Sequence, residues 1–332
     1  MKKGLFSLFI CICVFLCGCY YPQKRSATFF AMDTVMEISL YGEEKLLGGC
    51  KDVIYDLEKK LSVTDDKSDV YILNSNGRHT FDEDTLGLIL RAIELCDLTG
   101  GAVDVTVYPL VKAWGFTTGE HRVPENGEIS SLLSSVGYKK VIVSGSEVSL
   151  QSGMAIDLGA IAKGYASDKI VEYLKDNGVK SAIINLGGNV YALGKKPDGS
   201  PWRVAVENPF GGGYIGILSV EDKCVITSGS YERFFTEGGK TYCHIIDPST
   251  GYPADNGLVS VSVICSDGTF SDALSTALFV MGKERAIEFY KTHVGFDVIL
   301  VEADGSITIS EGIENTFERS ADIPESSFEV IS

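Results

Sequence analysis

Three features of the sequence predict an α+β fold, with largely antiparallel sheets and packed helices in a single domain. Strand-like segments come in consecutive runs, helix-like segments interrupt those runs instead of alternating with them, and tight glycine turns link several neighbouring strands. A doubly wound parallel sheet would need regular β–α alternation and long crossovers.

The elements follow in order. F-F-A-M-D-T-V-M-E-I-S-L-Y, residues 29 to 41, alternates as a first strand. Residues 43 to 61 carry Leu46, Leu47, Val53, Ile54, Leu57 and Leu61 at helical spacing, and residues 83 to 99 repeat the pattern with Leu86, Ile89, Leu90, Ile93 and Leu95. A glycine-rich segment from Thr99 leads to a polar loop over 117 to 128 and a short helix over 129 to 136. Two short strands at V-I-V-S and E-V-S-L are joined by Gly145-Ser146. Met154-Ala155-Ile156 is expected to end a strand, and a helix starts near Gly159 with Ala162, Tyr165, Ala166, Ile170 and Leu174 as its apolar stripe. Strands then dominate at 181–194, 202–209, 216–220, 223–229 and 258–265. Helices from Ser271 to Met281 and Lys283 to Thr292 precede strands at D-V-I-L-V-E and S-I-T-I-S, and residues 321–332 are expected to be a polar tail.

Of 332 residues, 45% are hydrophobic and 22% charged, with a formal net charge of −16. No basic footprint of the kind nucleic-acid binding requires is present, and a phosphate ligand would meet a negative field unless a cation accompanied it. The first 18 residues combine a basic start with an apolar run, Leu5 to Leu16, too short to span a membrane comfortably. Leu16-Cys17-Gly18-Cys19 closes that run and resembles a bacterial lipoprotein signal, which would leave Cys19 lipidated and residues 19–28 as a tether. A plain secretory signal is the alternative. Five cysteines remain beyond Cys19, widely spaced, which fits neither a disulfide framework nor a zinc motif. Buried free thiols are the expectation.

Three constellations could carry chemistry. In A-I-D-L-G-A-I-A-K-G-Y-A-S-D, Asp157 and Lys163 stand six residues apart with hardly a polar group between them, at a helix start. They suit either an anionic ligand on free helix N–H groups or a structural ion pair that fixes the turn. In S-D-A-L-S-T-A, Asp272 and Thr276 are four apart on one helical face. With a nearby backbone carbonyl they make a hard-oxygen set suited to Mg²⁺, although capping and back-bonding to a carbonyl are the simpler roles. His244, in H-I-I-D-P-S-T-G-Y-P, is a structural histidine or a neutral general base. Arg233 could hold a phosphate or pin a carboxylate.

Seven motifs in order resemble the FAD:protein FMN transferases: A-M-D-T (31–34), G-G-A-V-D-V-T-V-Y-P-L-V-K-A-W-G-F (100–116), I-D-L-G-A-I-A-K-G-Y-A-S-D (156–168), N-L-G-G-N (185–189), T-S-G-S-Y-E-R (227–233), H-I-I-D-P-S-T-G-Y-P (244–253) and S-D-A-L-S-T-A (271–277). The resemblance implies a T-fold-like α+β catalytic domain over 29–320 that binds FAD with Mg²⁺. It implies transfer of FMN to a threonine or serine of an acceptor flavoprotein, as a phosphoester, with release of AMP. Such acceptors include subunits of RNF and sodium-pumping NADH:quinone reductase complexes, which would place the enzyme on the outer face of the cytoplasmic membrane. Carried over by motif, Asp272, Thr276 and the Ala160 carbonyl would hold Mg²⁺. Met32, Ala102, Val103, Asp104, Asp157, Lys163 and Ile246 would contact FAD, and His244 would help deprotonate the acceptor.

Two positions depart from the family pattern. Asp33 stands where glycine is common, and Thr64 where an aromatic residue often stacks on the flavin; Tyr71 is nearby. The chain has no S/T-G-A-S/T acceptor sequence, the nearest being Thr99-Gly100-Gly101-Ala102, so self-flavinylation is not expected. An FAD pyrophosphatase and a non-catalytic flavin-binding lipoprotein are the competing functions.

Overall fold

The computed structural model describes residues 23–332. Cys19, the signal segment and the start of the tether lie outside them. The chain opens with a hairpin, β1 (Lys24–Ala31) and β2 (Thr34–Tyr41). The expected first strand is thus two strands, turned at Met32 and Asp33, whose φ angles are 47° and 59°. Two consecutive left-handed residues give the two-residue turn whose twist matches antiparallel strands, and aspartate is among the few side chains that tolerate it. The last five residues of the expected tether, 24–28, belong to β1. Only its inward residues, such as Phe29 packed edge-on to Tyr55 at 6.0 Å, reveal a buried face.

Helices α1 (Lys45–Leu61) and α2 (Asp69–Asn76), strand β3 (Arg78–Thr80) and helix α3 (Glu83–Leu98) follow. Then come α4 (Tyr108–Ala113), α5 (Asn126–Leu133) and the short strands β4 (Ile142–Ser144) and β5 (Glu147–Ser149). The expected strand at 154–156 does not form. The Asn74 amide occupies the edge instead: Nδ2 donates to the Ile156 carbonyl at 2.8 Å and Oδ1 accepts from its N–H at 2.7 Å. A single side chain satisfies the backbone that a neighbouring strand would otherwise serve.

Helix α6 (Gly159–Asp176) leads into β6 (Ala182–Leu186), β7 (Asn189–Leu193), β8 (Trp202–Glu207), β9 (Tyr214–Val220) and β10 (Lys223–Gly229). The hairpin β11 (Phe234–Glu237) and β12 (Lys240–Cys243) precedes β13 (Leu258–Cys265), α7 (Gly268–Met281) and α8 (Lys283–Thr292). Strands β14 (Asp297–Glu302), β15 (Ile307–Ser310), β16 (Phe317–Arg319) and β17 (Phe328–Ile331) complete the chain.

The main sheet has nine strands in the order β1-β2-β6-β7-β10-β13-β14-β15-β17. All its pairings are antiparallel except the last, in which β17 runs parallel to β15. Within the expected polar tail, residues 328–331 are therefore a sheet strand, and Ile331 is buried. The largest core lies among β2, β6 and helices α1, α3 and α6, and a second core joins the main sheet to the small β16-β9-β8 sheet. The five cysteines are free and buried. Among the described residues no helix is long and apolar enough to cross a membrane.

The buried face of α6 is Ile161, Gly164, Ala166, Ser167, Ile170, Val171 and Leu174, whereas Ala162 and Tyr165 of the expected stripe are only half-buried. The rotation follows from the crossing with α7. A Cβ on Gly164 would overlap the Gly268 carbonyl, and one on Gly268 would lie 2.6 Å from the Gly164 carbonyl. These glycines serve helix–helix approach, not the approach of a ligand to backbone.

Candidate functional site

At this crossing α6 and α7 exchange polar contacts. Asp168 on α6 caps α7, its Oδ1 accepting from Gly268 N at 2.8 Å and its Oδ2 from Thr269 N at 2.8 Å and Thr269 Oγ1 at 2.7 Å. In return, Asp272 Oδ2 on α7 accepts from Gly164 N at 2.8 Å, and Oδ1 accepts from Asn189 Nδ2 at 3.0 Å. Regular helical geometry aims the Gly164 N–H at the Ala160 carbonyl. The Ala160 and Asp272 oxygens are therefore neighbours about one donor. Thr276 lies one turn along α7, its Oγ1 sharing a hydrogen bond with Ser228 Oγ at 3.1 Å, and Ser228 also meets Ser275 Oγ at 2.8 Å.

Burial pushes the Asp272 carboxyl above the usual carboxylate range, opposed by Lys163, the Gly164 N–H and Asn189. A buried carboxylate, a hydroxyl and a carbonyl are donors that fit a small hard cation. Among the described residues no group of three or more His, Cys, Asp or Glu side chains is placed to hold a metal. The oxygen set here contains one carboxylate and so differs in kind from such a cluster.

A cleft of about 310 Å³ is lined by Asp33, Phe116, His121, Glu232, Arg233 and Phe234. His244 follows β12, and its N–H donates to the Arg233 carbonyl at 3.0 Å. Its Nδ1 lies 3.3 Å from the same carbonyl. A carbonyl only accepts, so that contact puts the ring proton on Nδ1 and leaves Nε2 as the lone-pair nitrogen. Burial, followed by the Arg233 and Lys163 charges, lowers the imidazole pKa to about 4, with the carbonyl contact opposing. At neutral pH the ring is uncharged.

Lys163 ties the parts together. Its charge acts on Asp272, Glu232 and His244, yet it makes no ion pair among the described residues. The structural alternative of a direct Asp157–Lys163 pair does not form. Asp157 Oδ1 accepts instead from Gly159 N at 2.8 Å, capping α6, while burial raises its carboxyl pKa against the opposing field of Arg233. The Glu232 carboxyl is likewise raised by burial, with Lys163 opposing.

The remaining predicted contacts are placed less directly. Asp157 N donates to the Val105 carbonyl at 2.7 Å, so segment 102–107 borders the site. Ala102 and Val103 themselves are buried in the main core. The buried Asp104 accepts from Thr106 N and Oγ1 at 2.8 and 2.6 Å and from Tyr138 N at 3.0 Å. Its carboxylate holds its own turn and ties that turn to the segment at Tyr138. Met32 is half-buried, its N–H donating to Glu58 Oε1 at 2.6 Å, and Ile246 is buried in a cluster with Leu110, Trp114 and Ile129.

Residue-by-residue reading missed Glu232, Asn189, Ser228, Asp168 and an aromatic group on the cleft wall. In that group His121 stacks on Phe235 at 5.0 Å and 4° between planes, and Phe116 lies 5.6 Å from Phe235. His121 falls in a segment whose composition marks it only as a polar loop. Thr64, at the position where an aromatic residue often stacks in the family, is exposed, and Tyr71 is half-buried.

The comparisons with known proteins show the family. The model of the ApbE family matches residues 32–300. A Klebsiella pneumoniae protein named FAD:protein FMN transferase is 35% identical over 288 residues, covering 84% of this chain and 89% of its own. A Treponema pallidum protein of the same name is 35% identical over 277 residues, covering 77% of this chain and 76% of its own. Among solved structures, the ApbE protein of Thermotoga maritima superposes with a TM-score of 0.84 at 36% identity, over 90% of this chain and 100% of that one. The apo flavinyl transferase ApbE of Pseudomonas stutzeri gives a TM-score of 0.81 at 28% identity, over 91% and 99%.

Proposed function

This chain belongs to the ApbE family, and from that membership we propose that it transfers FMN from FAD to a threonine or serine hydroxyl of an exported acceptor flavoprotein. The observation that carries the reading is that the charge of Lys163 bears on Asp272, on Glu232 in the cleft wall and on His244, although the four come from four separate segments of the chain. A non-catalytic flavin binder would need neither a neutral imidazole nor a hard-oxygen set beside a free ammonium.

The bond formed joins the acceptor Oγ to the phosphorus of the FMN half, and the bond broken is the diphosphate P–O bond to AMP. Lys163 draws the diphosphate in by charge. His244 Nε2 takes the hydroxyl proton, and the AMP oxygen carries away the electron pair. A base with a pKa of about 4 is weak for this task at neutral pH. The diphosphate's own negative charge, arriving beside it, raises that basicity when it is needed. Mg²⁺ bound to Asp272, Thr276 and the Ala160 carbonyl would supply charge neutralisation at the attacked phosphate and the leaving oxygen.

Attack by water at the same phosphorus would make the protein an FAD pyrophosphatase, so the acceptor must be positioned well enough to outcompete solvent. The deciding experiment incubates the mature domain with FAD, Mg²⁺ and fragments bearing an S/T-G-A-S/T sequence. Flavin fluorescence on the denatured fragment with matching AMP supports transfer. AMP and free FMN without labelled fragment favours hydrolysis, and bound FAD with neither product leaves only a binding role. We further propose that Cys19 carries a lipid that holds the enzyme at the outer face of the cytoplasmic membrane. Replacing Cys19 with serine should release it from the membrane fraction.

A further inference from the structure

Residue 233 makes contacts in two directions. Its guanidinium reaches Asp33 Oδ2 at 3.6 Å, and its carbonyl accepts from His244 N at 3.0 Å and faces Nδ1 at 3.3 Å. Asp33 and Arg233 both line the cleft, and they come from walls built by separate segments: the β1–β2 turn and the stretch between β10 and β11. That turn is itself anchored to α1 through Met32 N and Glu58 Oε1 at 2.6 Å. A continuous line of contacts therefore runs from α1 through Asp33 and Arg233 to the imidazole.

We propose that Asp33 is a positioning residue, whose ion pair with Arg233 clasps the two walls of the cleft and so steadies the carbonyl that orients His244. The proposal rests on the reading of His244 as the base. Stability alone does not account for the pair. Its side chains are 83% and 50% exposed, and exposed ion pairs contribute little to folding. Asp33 also holds φ at 59°, a conformation that glycine adopts without steric cost. A pair this exposed opens and recloses readily, as a cleft that must admit a large substrate requires.

The same geometry separates the proposal from misfolding, because Asp33→Gly relieves the backbone while deleting the charge. Asp33→Asn keeps both shape and left-handed tolerance. Hydrogen exchange at the His244 amide, followed with no substrate present, should quicken about two- to five-fold in Asp33→Asn, Asp33→Gly and Arg233→Gln, the range that exposed ion pairs give. Arg233→Lys should stay near wild type, and added salt should bring wild type towards Asp33→Asn. In turnover, kcat should fall by a similar factor with KM for FAD unchanged. Wild-type exchange in Asp33→Asn at low salt overturns the clasp, whatever the activity. If the wild-type protein yields neither AMP nor labelled acceptor, the proposed function falls, and the exchange rates alone judge the clasp: quickened supports it, unchanged removes it.

Discussion

His244 and Asp272 are both held away from their usual titration by burial, in ways that make opposite demands on pH. The imidazole, shifted down from 6.5 to about 4, contributes stability that is fully present above pH 6.5 and lost as pH falls through about 4. Asp272, shifted upward, contributes in the reverse sense, so its ionised form at neutral pH is a cost that a cation would relieve. His244→Asn should therefore lose less stability than wild type between pH 6.5 and 4 in paired urea titrations. The same variant should transfer flavin about 10²–10⁴-fold more slowly with FAD affinity little changed. Lost FAD binding with an unchanged rate at saturation would instead make the ring a ligand-orienting group. Asp272→Ala should abolish Mg²⁺-dependent turnover and also the thermal stabilisation by Mg²⁺. At a hundredfold excess over Kd that stabilisation amounts to about 2.7 kcal/mol in the wild type. Full activity of this variant at submillimolar Mg²⁺ would remove Asp272 from the metal site.

The α6–α7 crossing shows how two helices become one device. Gly164 and Gly268 allow the backbones to touch, Asp168 caps α7, and the Gly164 N–H reaches Asp272. Each contact fixes the register of the other helix. Gly164→Ala would drive a methyl group into the Gly268 carbonyl and to 2.7 Å from Asp272 Cβ. Overpacking of this kind costs about 1–3 kcal/mol. The variant should melt lower and, because Asp272 must shift, bind Mg²⁺ more weakly than its stability loss alone would give. Isothermal titration of the folded variant tests this, and wild-type Mg²⁺ affinity would mean that the crossing is packing alone.

Across the whole molecule, closure depends on a strand from the end of the chain. β17 covers the edge of β15, buries Ile331 and sets Phe328 6.1 Å from Phe317. Deletion of residues 321–332 should lower the melting temperature by several degrees, since a few kcal/mol shifts a domain of this size by about 2–4 °C per kcal/mol. Circular dichroism would show it, and an unchanged Tm would mean that β17 contributes nothing. The net charge of −16 acts at the same level. A negatively charged protein that attracts a diphosphate needs local cations, which Lys163 and a bound metal would supply against the general field.

Where a segment's structure depends on its own spacing, the sequence was sufficient. Strands Leu258–Cys265 and Asp297–Glu302 and helix Lys283–Thr292 stand at the bounds their patterns imply, because β alternation and helical periodicity act within a few residues. The ordered motifs likewise identified the family. Decisions taken between distant segments were not legible. The Asn74 clamp removed the strand expected at 154–156, pairing with β15 turned a polar tail into β17, and the Gly164–Gly268 contact rotated the buried face of α6. Glu232, Asn189 and Ser228 joined the site only through partners many residues away. Asp104, a candidate ligand by its motif, was instead committed to Thr106 and Tyr138. Local propensity fixes which elements can form, but a polar side chain's role depends on which partner the closed sheet brings within hydrogen-bond reach, and that choice exists only once the chain has folded.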